Sequence, residues 1–72
     1  MKSRNSWLEE ASEFVLEWDR VTGKTPTLDD VKSELATIDD ALEIAVFNGL
    51  DSVEEYAETL YGYIEEVLAD ER

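Results

Sequence analysis

The chain has 72 residues with no cysteine and no histidine, and its 19 Asp and Glu against 6 Lys and Arg give a formal net charge of −13. This length allows one domain, residues 1–72, with a marginal core. The composition excludes disulfides, a thiolate nucleophile and cysteine zinc sites, and it lacks the side chain that best transfers protons near neutral pH.

The charge bears on what the protein can bind. Phosphates attract Lys and Arg, so we expect no direct binding to nucleic acid and none to an anionic membrane. The natural complement is a basic protein. The alternative is a salt-adapted proteome, in which an acidic surface is routine. No run of 18 apolar residues exists and no apolar segment follows Lys2 and Arg4, so we expect no membrane span, no secretory signal and a cytoplasmic location.

The first helical pattern begins at Ser6, after residues 1–5, which are polar and expected to fray. Ser6 and Glu9 have the spacing of a capping box. The apolar stripe that follows comprises Trp7, Leu8, Ala11, Phe14, Val15, Trp18 and Val21. We interpret both tryptophans as core residues, with an aromatic contact surface as the alternative. The opposite face carries three acids at four-residue spacing, namely Glu9, Glu13 and Glu17.

The middle of the chain allows two interpretations. Gly23 and Pro26 end the first helix, and Thr27 is a good N-cap for the next. An unbroken heptad pattern then runs through Leu28, Val31, Leu35, Ile38, Leu42 and Ala45, which predicts one helix over 28–48. However, the sequence at 37–40 repeats the cap-like pattern at 27–30, so a second helix could start at Thr37. We therefore predict an all-α, small three-helix bundle, with four helices if the middle helix breaks near Thr37.

The end of this middle segment is apolar nearly all round. Ile44 and Phe47 lie off the heptad seam. Either another element covers them, or they form an exposed patch that serves as an apolar anchor for a partner or for a second copy in a homodimer.

The last helix, within residues 51–69, has an apolar seam made of Val53, Tyr56, Ala57, Leu60, Ile64, Val67 and Leu68. Asp51 is the expected N-cap, with Glu54 three residues later. Gly62 inside the helix predicts either a close helix crossing or a bend, since glycine costs about 1 kcal/mol there relative to alanine.

The carboxylates do not predict catalysis. A catalytic acid needs burial or a close like charge in a cleft, and the acidic pairs sit where a solvated face is expected. The ligand spacing of a calcium-binding EF-hand and the glycine-rich motifs of nucleotide sites are absent. We expect no enzymatic activity, no cofactor and no specific metal site.

The segment from Gly49 to Glu55 resembles the Asp-Ser-Leu segment of acyl carrier proteins, which are small, acidic and helical. The resemblance implies a carrier-type protein modified with phosphopantetheine at Ser52. It covers about seven residues, has Val53 in place of the usual leucine, and is followed by only twenty residues after Ser52. The same stretch, through Leu60, resembles a helix start in ArdA-type antirestriction proteins, which are acidic DNA mimics. An ordinary helix-start serine is the competing interpretation.

These features favour a non-enzymatic protein–protein interaction module, in concrete form an inhibitor or DNA mimic of the phage or mobile-element type. It would offer ordered carboxylates to a basic, nucleic-acid-binding protein. The candidate acidic face comprises Glu9, Glu13, Glu17, Asp39, Asp40, Glu43, Glu54, Glu55, Glu58, Glu65 and Glu66. Ile44 and Phe47 are the candidate apolar anchor. The alternative is a self-associating helical module whose acidity serves solubility or salt adaptation.

Overall fold

A computed structural model of the protein describes residues 2–70, and these residues form four α-helices. They are α1 (Arg4–Thr22), α2 (Leu28–Ala36), α3 (Ala41–Phe47) and α4 (Val53–Asp70). The all-α prediction is confirmed, and residues 2–70 form four helices, which was the alternative predicted for a break near Thr37. Within residues 2–70, no helix is long and apolar enough to cross a membrane.

The first helix begins three residues earlier than the sequence pattern indicated. Ser3, not Ser6, is the N-cap: its hydroxyl oxygen accepts a hydrogen bond from the Ser6 backbone N–H at 3.2 Å. Arg4 is therefore helical, although residues 1–5 were expected to fray; Met1 lies outside the described residues. The predicted end is confirmed, because Gly23 takes a left-handed φ of 72° and its N–H donates to the Asp19 carbonyl at 2.7 Å.

The N-terminal segment is held against the rest of the molecule. The Lys2 backbone N–H donates to Asn48 Oδ1 at 2.9 Å, and its ammonium pairs with Glu10 and lies 4.6 Å from the centre of the Trp7 ring. The Arg4 guanidinium bonds both carboxylate oxygens of Glu66, at 2.5 and 3.2 Å. These contacts fix the start of α1 against α4 and against Asn48, in the connection between α3 and α4.

The prediction of one continuous helix over 28–48 is wrong, because α2 and α3 are separate helices. Thr27 caps α2 with a full capping box, as predicted, but α2 ends at Ala36. Thr37 is the C-cap of α2 rather than the N-cap of a new helix: its hydroxyl donates to the Glu34 carbonyl at 2.7 Å. Such local side-chain bonds compete with the helical backbone pattern. The turn at 37–40 directs Ala41 and Ala45 of α3 inward.

This turn also changes which apolar residues are buried. Ile38 and Leu42, predicted to pack in the heptad seam, are exposed. Val21, predicted as part of the α1 stripe, is exposed as well, while Trp7, Ala11 and Val15 are buried.

The last helix is the central element of the fold. α1, α2 and α3 all pack against α4, and α1 and α2 do not pack closely against each other. Tyr56, Ala57, Leu60 and Ile64 of the predicted α4 seam are buried. Ser52, not Asp51, caps this helix, since its hydroxyl oxygen accepts the Glu55 N–H at 3.1 Å. The molecule measures 32 × 24 × 14 Å, so it is about two helices deep.

The close helix crossing that was one of the two predictions for Gly62 is not present. A Cβ placed on this residue would meet no atom within 4 Å, so no helix crosses closely over it. Its backbone also lacks a positive φ, unlike that of Gly23 and Gly49. The helix therefore tolerates this glycine without any packing requirement for it.

Candidate functional site

The acidic row on α1 is the most regular feature of the surface. Glu9, Glu13 and Glu17 are all exposed and lie on successive turns, about 6 Å apart along the helix axis. Of the three, only Glu17 forms an ion pair within residues 2–70, with Arg20 one turn later. The buried side chains of α1 hold the helix that carries this row.

The other candidate acids lie on separate elements. Asp39 and Asp40 are exposed in the α2–α3 connection, where Asp40 occupies the N-cap position of α3 without a side-chain capping bond. Glu43 is exposed in the first turn of α3, and Glu54, Glu58 and Glu65 are exposed on α4.

Besides Glu17, two of the candidate acids bond to other residues of the protein. Glu55 Oε2 accepts the Asp51 N–H at 2.6 Å, which completes the cap of α4. Glu66 is half-buried and bound by Arg4. Binding of an external cation by either residue would have to replace an internal contact.

Most of the negative charge is not neutralised internally. Across residues 2–70 the ion pairs are Lys2–Glu10, Arg4–Glu66 and Arg20–Glu17. In the same residues, no three acids converge to hold a metal ion. The carboxylates therefore form an extended negative surface rather than a single chelating cluster.

The two residues of the candidate apolar anchor have different environments. Ile44 is half-buried and packs against the core. Phe47 is 78% exposed, and Leu42 and Val46 on the same short helix are also exposed. The exposed apolar surface of α3 therefore consists of Leu42, Val46 and Phe47, and it does not extend to Ile44.

A groove of about 810 Å³ separates α1 from α2. Tyr56 and Leu60 of α4 and Leu35 of α2 lie at its base. Its apolar walls are made by Phe14, Leu16, Trp18, Val21 and Ile38. Trp18 is half-buried there and stacks on Phe14 with ring centres 5.9 Å apart, whereas Trp7 is a core residue. The two tryptophans thus have different environments: Trp7 lies in the core, as interpreted from the sequence, and Trp18 is only partly covered.

Acids border this apolar groove on both sides. Glu10, Glu13 and Glu17 line it from α1, and Glu34 lines it from α2. The structure thus brings Glu13 and Glu17 together with Glu34, which the sequence did not single out. The only sequence feature that pointed to an apolar groove beside α1 was Leu16, an apolar residue outside the α1 stripe. The exposure of Ile38 depends on the break at Thr37, which the heptad pattern conceals.

Glu10 belongs to the groove and to an internal hydrogen-bond cluster. Its carboxylate accepts the Tyr56 hydroxyl at 3.0 and 3.1 Å and pairs with Lys2. Burial raises the pKa of Tyr56 above its ordinary value, and the nearby Glu10 carboxylate raises it further. Tyr56 therefore stays protonated and fixes Glu10 in place.

Comparison with known proteins identifies no relative: no family model, no curated protein and no solved structure matches the chain.

Proposed function

We propose that this protein is a non-enzymatic, acidic interaction module that binds a basic, nucleic-acid-binding protein and inhibits it by occupying its nucleic-acid surface. The observation that carries the proposal is the exposed row of Glu9, Glu13 and Glu17 on one helix. Regularly spaced carboxylates offer a basic groove the kind of charge pattern that phosphates do. We place this activity in the cytoplasm.

The anchoring of α1 supports this role. Trp7, Ala11 and Val15 are buried, and Lys2 and Arg4 connect the helix to neighbouring elements. Carboxylates on a pre-organised helix lose little conformational freedom on binding, so less of the interaction energy is spent on ordering them. The uncompensated net charge also accelerates encounter with a positive surface, in a manner that salt suppresses.

The test is affinity capture from a lysate of the source organism, followed by elution in steps of rising salt and mass spectrometry. Wild-type protein is compared with the triple variant Glu9→Gln/Glu13→Gln/Glu17→Gln. The control is Asp19→Asn/Asp29→Asn/Asp51→Asn, which removes the same charge from exposed positions outside the candidate face.

The proposal predicts that wild type and control retain the same nucleic-acid-binding protein, that salt releases it, and that the triple variant does not retain it. Equal retention by all three baits would show that the α1 row does not form the binding surface. Retention that salt does not weaken would contradict the electrostatic basis of the proposal.

Self-association through α3 is the second candidate function, and the exposure of Phe47 favours it. Leu42, Val46 and Phe47 form an apolar surface on a small acidic protein. Sedimentation velocity at rising protein concentration tests this candidate. A dimer that Phe47→Glu converts to monomer would support it, and a wild-type monomer at every concentration would exclude it.

A further inference from the structure

We propose that the groove between α1 and α2 is a docking site for an amphipathic helix of the partner, whose apolar face fills the groove and whose Lys or Arg side chains lie along its edges. This inference rests on the proposed function, because it specifies the segment of a basic partner that the protein recognises. It adds an apolar contact that the acidic surface alone does not supply.

The arrangement of the helices leaves room for such an occupant. α1 and α2 each pack on α4 but not closely on each other. The groove runs along α1 from Glu10 to Val21, which corresponds to about 16 Å or three helical turns. A docked helix would lie beside α1 and α2 and would cover their open sides. Amphipathic helices commonly bind in apolar grooves of this kind.

The walls of the groove expose apolar surface that nothing in residues 2–70 covers. Val21 is 68% exposed and Ile38 is 45% exposed, although both line the groove. Half-buried Trp18 adds an aromatic side chain at the same place. Tryptophan is frequent among the residues that contribute most to binding energy once a partner excludes water from them.

The charges at the rim identify the chemistry of the occupant. Glu13 on α1 and Glu34 on α2 stand on opposite sides, and neither forms an ion pair with another residue in 2–70. Arg20 also lines the groove, but its guanidinium is paired with Glu17. An apolar helix with basic residues on both flanks would meet an apolar base and an acid on each edge. A negatively charged segment would be repelled by these acids, and a purely polar segment would leave the apolar base without a complementary surface.

The test uses a fluorescently labelled synthetic peptide of about 14 residues, the length at which a helix becomes marginally stable in water. Leucines at helical spacing form one face, and lysines flank it. A second peptide has the same composition in an order that destroys the apolar face. Fluorescence anisotropy measures the affinity of each peptide for the full chain at low and moderate salt.

Two pairs of variants separate the apolar contribution from the charge. Val21→Glu/Ile38→Glu places acids in the groove, and Leu42→Glu/Val46→Glu adds the same charge at exposed apolar positions of α3 outside it. Glu13→Gln/Glu34→Gln neutralises the rim, and Glu54→Gln/Glu58→Gln makes the same charge change on α4. Circular dichroism confirms that each variant remains helical.

The proposal predicts that the helical peptide binds at least about tenfold more tightly than the reordered peptide. It predicts that Val21→Glu/Ile38→Glu weakens helical-peptide binding about tenfold despite the added negative charge, and that Leu42→Glu/Val46→Glu does not. The rim variant should weaken binding more than the α4 variant does.

Equal binding of both peptides, insensitive to the groove variants, would overturn this inference and leave the proposed acidic module intact. If neither peptide binds, the inference is wrong. The proposed function is then still tested separately, by the capture experiment with the Glu9→Gln/Glu13→Gln/Glu17→Gln variant. If Val21→Glu/Ile38→Glu instead abolished a dimer seen by sedimentation, a second copy would occupy the groove and the proposal would be wrong.

Discussion

Tyr56 shows how one buried side chain couples the fold to pH. Its hydroxyl donates to the Glu10 carboxylate, and burial raises its pKa above the ordinary value. The protonated form is therefore favoured by folding. The resulting stability is complete below the unfolded-state pKa of about 10 and is lost as pH rises through the higher pKa of the folded state.

Tyr56→Phe should accordingly destabilise the protein by about 1–2 kcal/mol at pH 8, since it removes a hydrogen bond to a charged acceptor. The difference between wild type and variant should shrink above pH 10, because only wild type must keep this phenol protonated. Urea unfolding at pH 8, 10 and 11 measures the difference. Tyr61→Phe is the control, as Tyr61 is only half-buried. A difference that stays constant with pH would contradict this interpretation of Tyr56.

The two glycines at 23 and 62 should respond oppositely to alanine. Gly62→Ala should raise the free energy of unfolding by about 0.5–1 kcal/mol, because the position is helical and open. Gly23→Ala should lower it by about 1 kcal/mol, because Gly23 has a left-handed φ. Thermal unfolding of both variants tests this pair. Destabilisation by Gly62→Ala would point to a packing or binding role for that surface.

At the scale of elements, α4 determines whether the other helices hold together. Leu60 is 1% exposed in the core. Leu60→Ala should cost about 2–5 kcal/mol, which is comparable to the total stability expected of a domain this small. Far-UV circular dichroism should therefore show a largely unfolded chain. Leu42→Ala, at an exposed position, should leave the spectrum unchanged, and equal effects of the two variants would contradict the central place of α4.

The sequence predicted the elements whose signals agree and left two interpretations open where the signals compete. The seam of α4, the cap at Thr27 and the end of α1 at Gly23 were all predictable, because periodicity and capping residues indicate the same structure there. The break after Ala36 was predicted only as the alternative, from the cap-like pattern at 37–40, since the heptad pattern extends across it without Gly or Pro. The decisive feature is local hydrogen bonding by Thr37, which competes with an apolar pattern of the same sequence.

The candidate site was predictable to a similar degree. The exposure of Glu9, Glu13 and Glu17 follows from helical periodicity alone. The groove does not, because it depends on how two helices that are separated in sequence pack on a third. Phe47 and Ile44 could not be told apart either, since both lie off the seam and only tertiary packing distinguishes them.

At the scale of the whole molecule, the net charge of −13 acts against compactness. Salt screens this repulsion. If screening raises the free energy of unfolding by about 1 kcal/mol, Tm should rise by at least about 4 °C between low salt and roughly 0.5 M NaCl. Glu9→Gln/Glu13→Gln should have a higher Tm at low salt and gain less from added salt, because it removes both repulsive pairs of the row at four-residue spacing, Glu9/Glu13 and Glu13/Glu17. A Tm independent of salt would show that the folded protein tolerates its charge without strain.

Competition with DNA tests whether the acidic row occupies the nucleic-acid surface of the partner. Purified partner, identified by capture, is bound to a labelled DNA duplex and titrated with this protein, with Glu9→Gln/Glu13→Gln/Glu17→Gln as the comparison. Wild type should displace the duplex stoichiometrically, and the variant should require a much higher concentration. Formation of a ternary complex of partner, duplex and protein would contradict the proposed function, because the carboxylates would then not occupy the nucleic-acid surface.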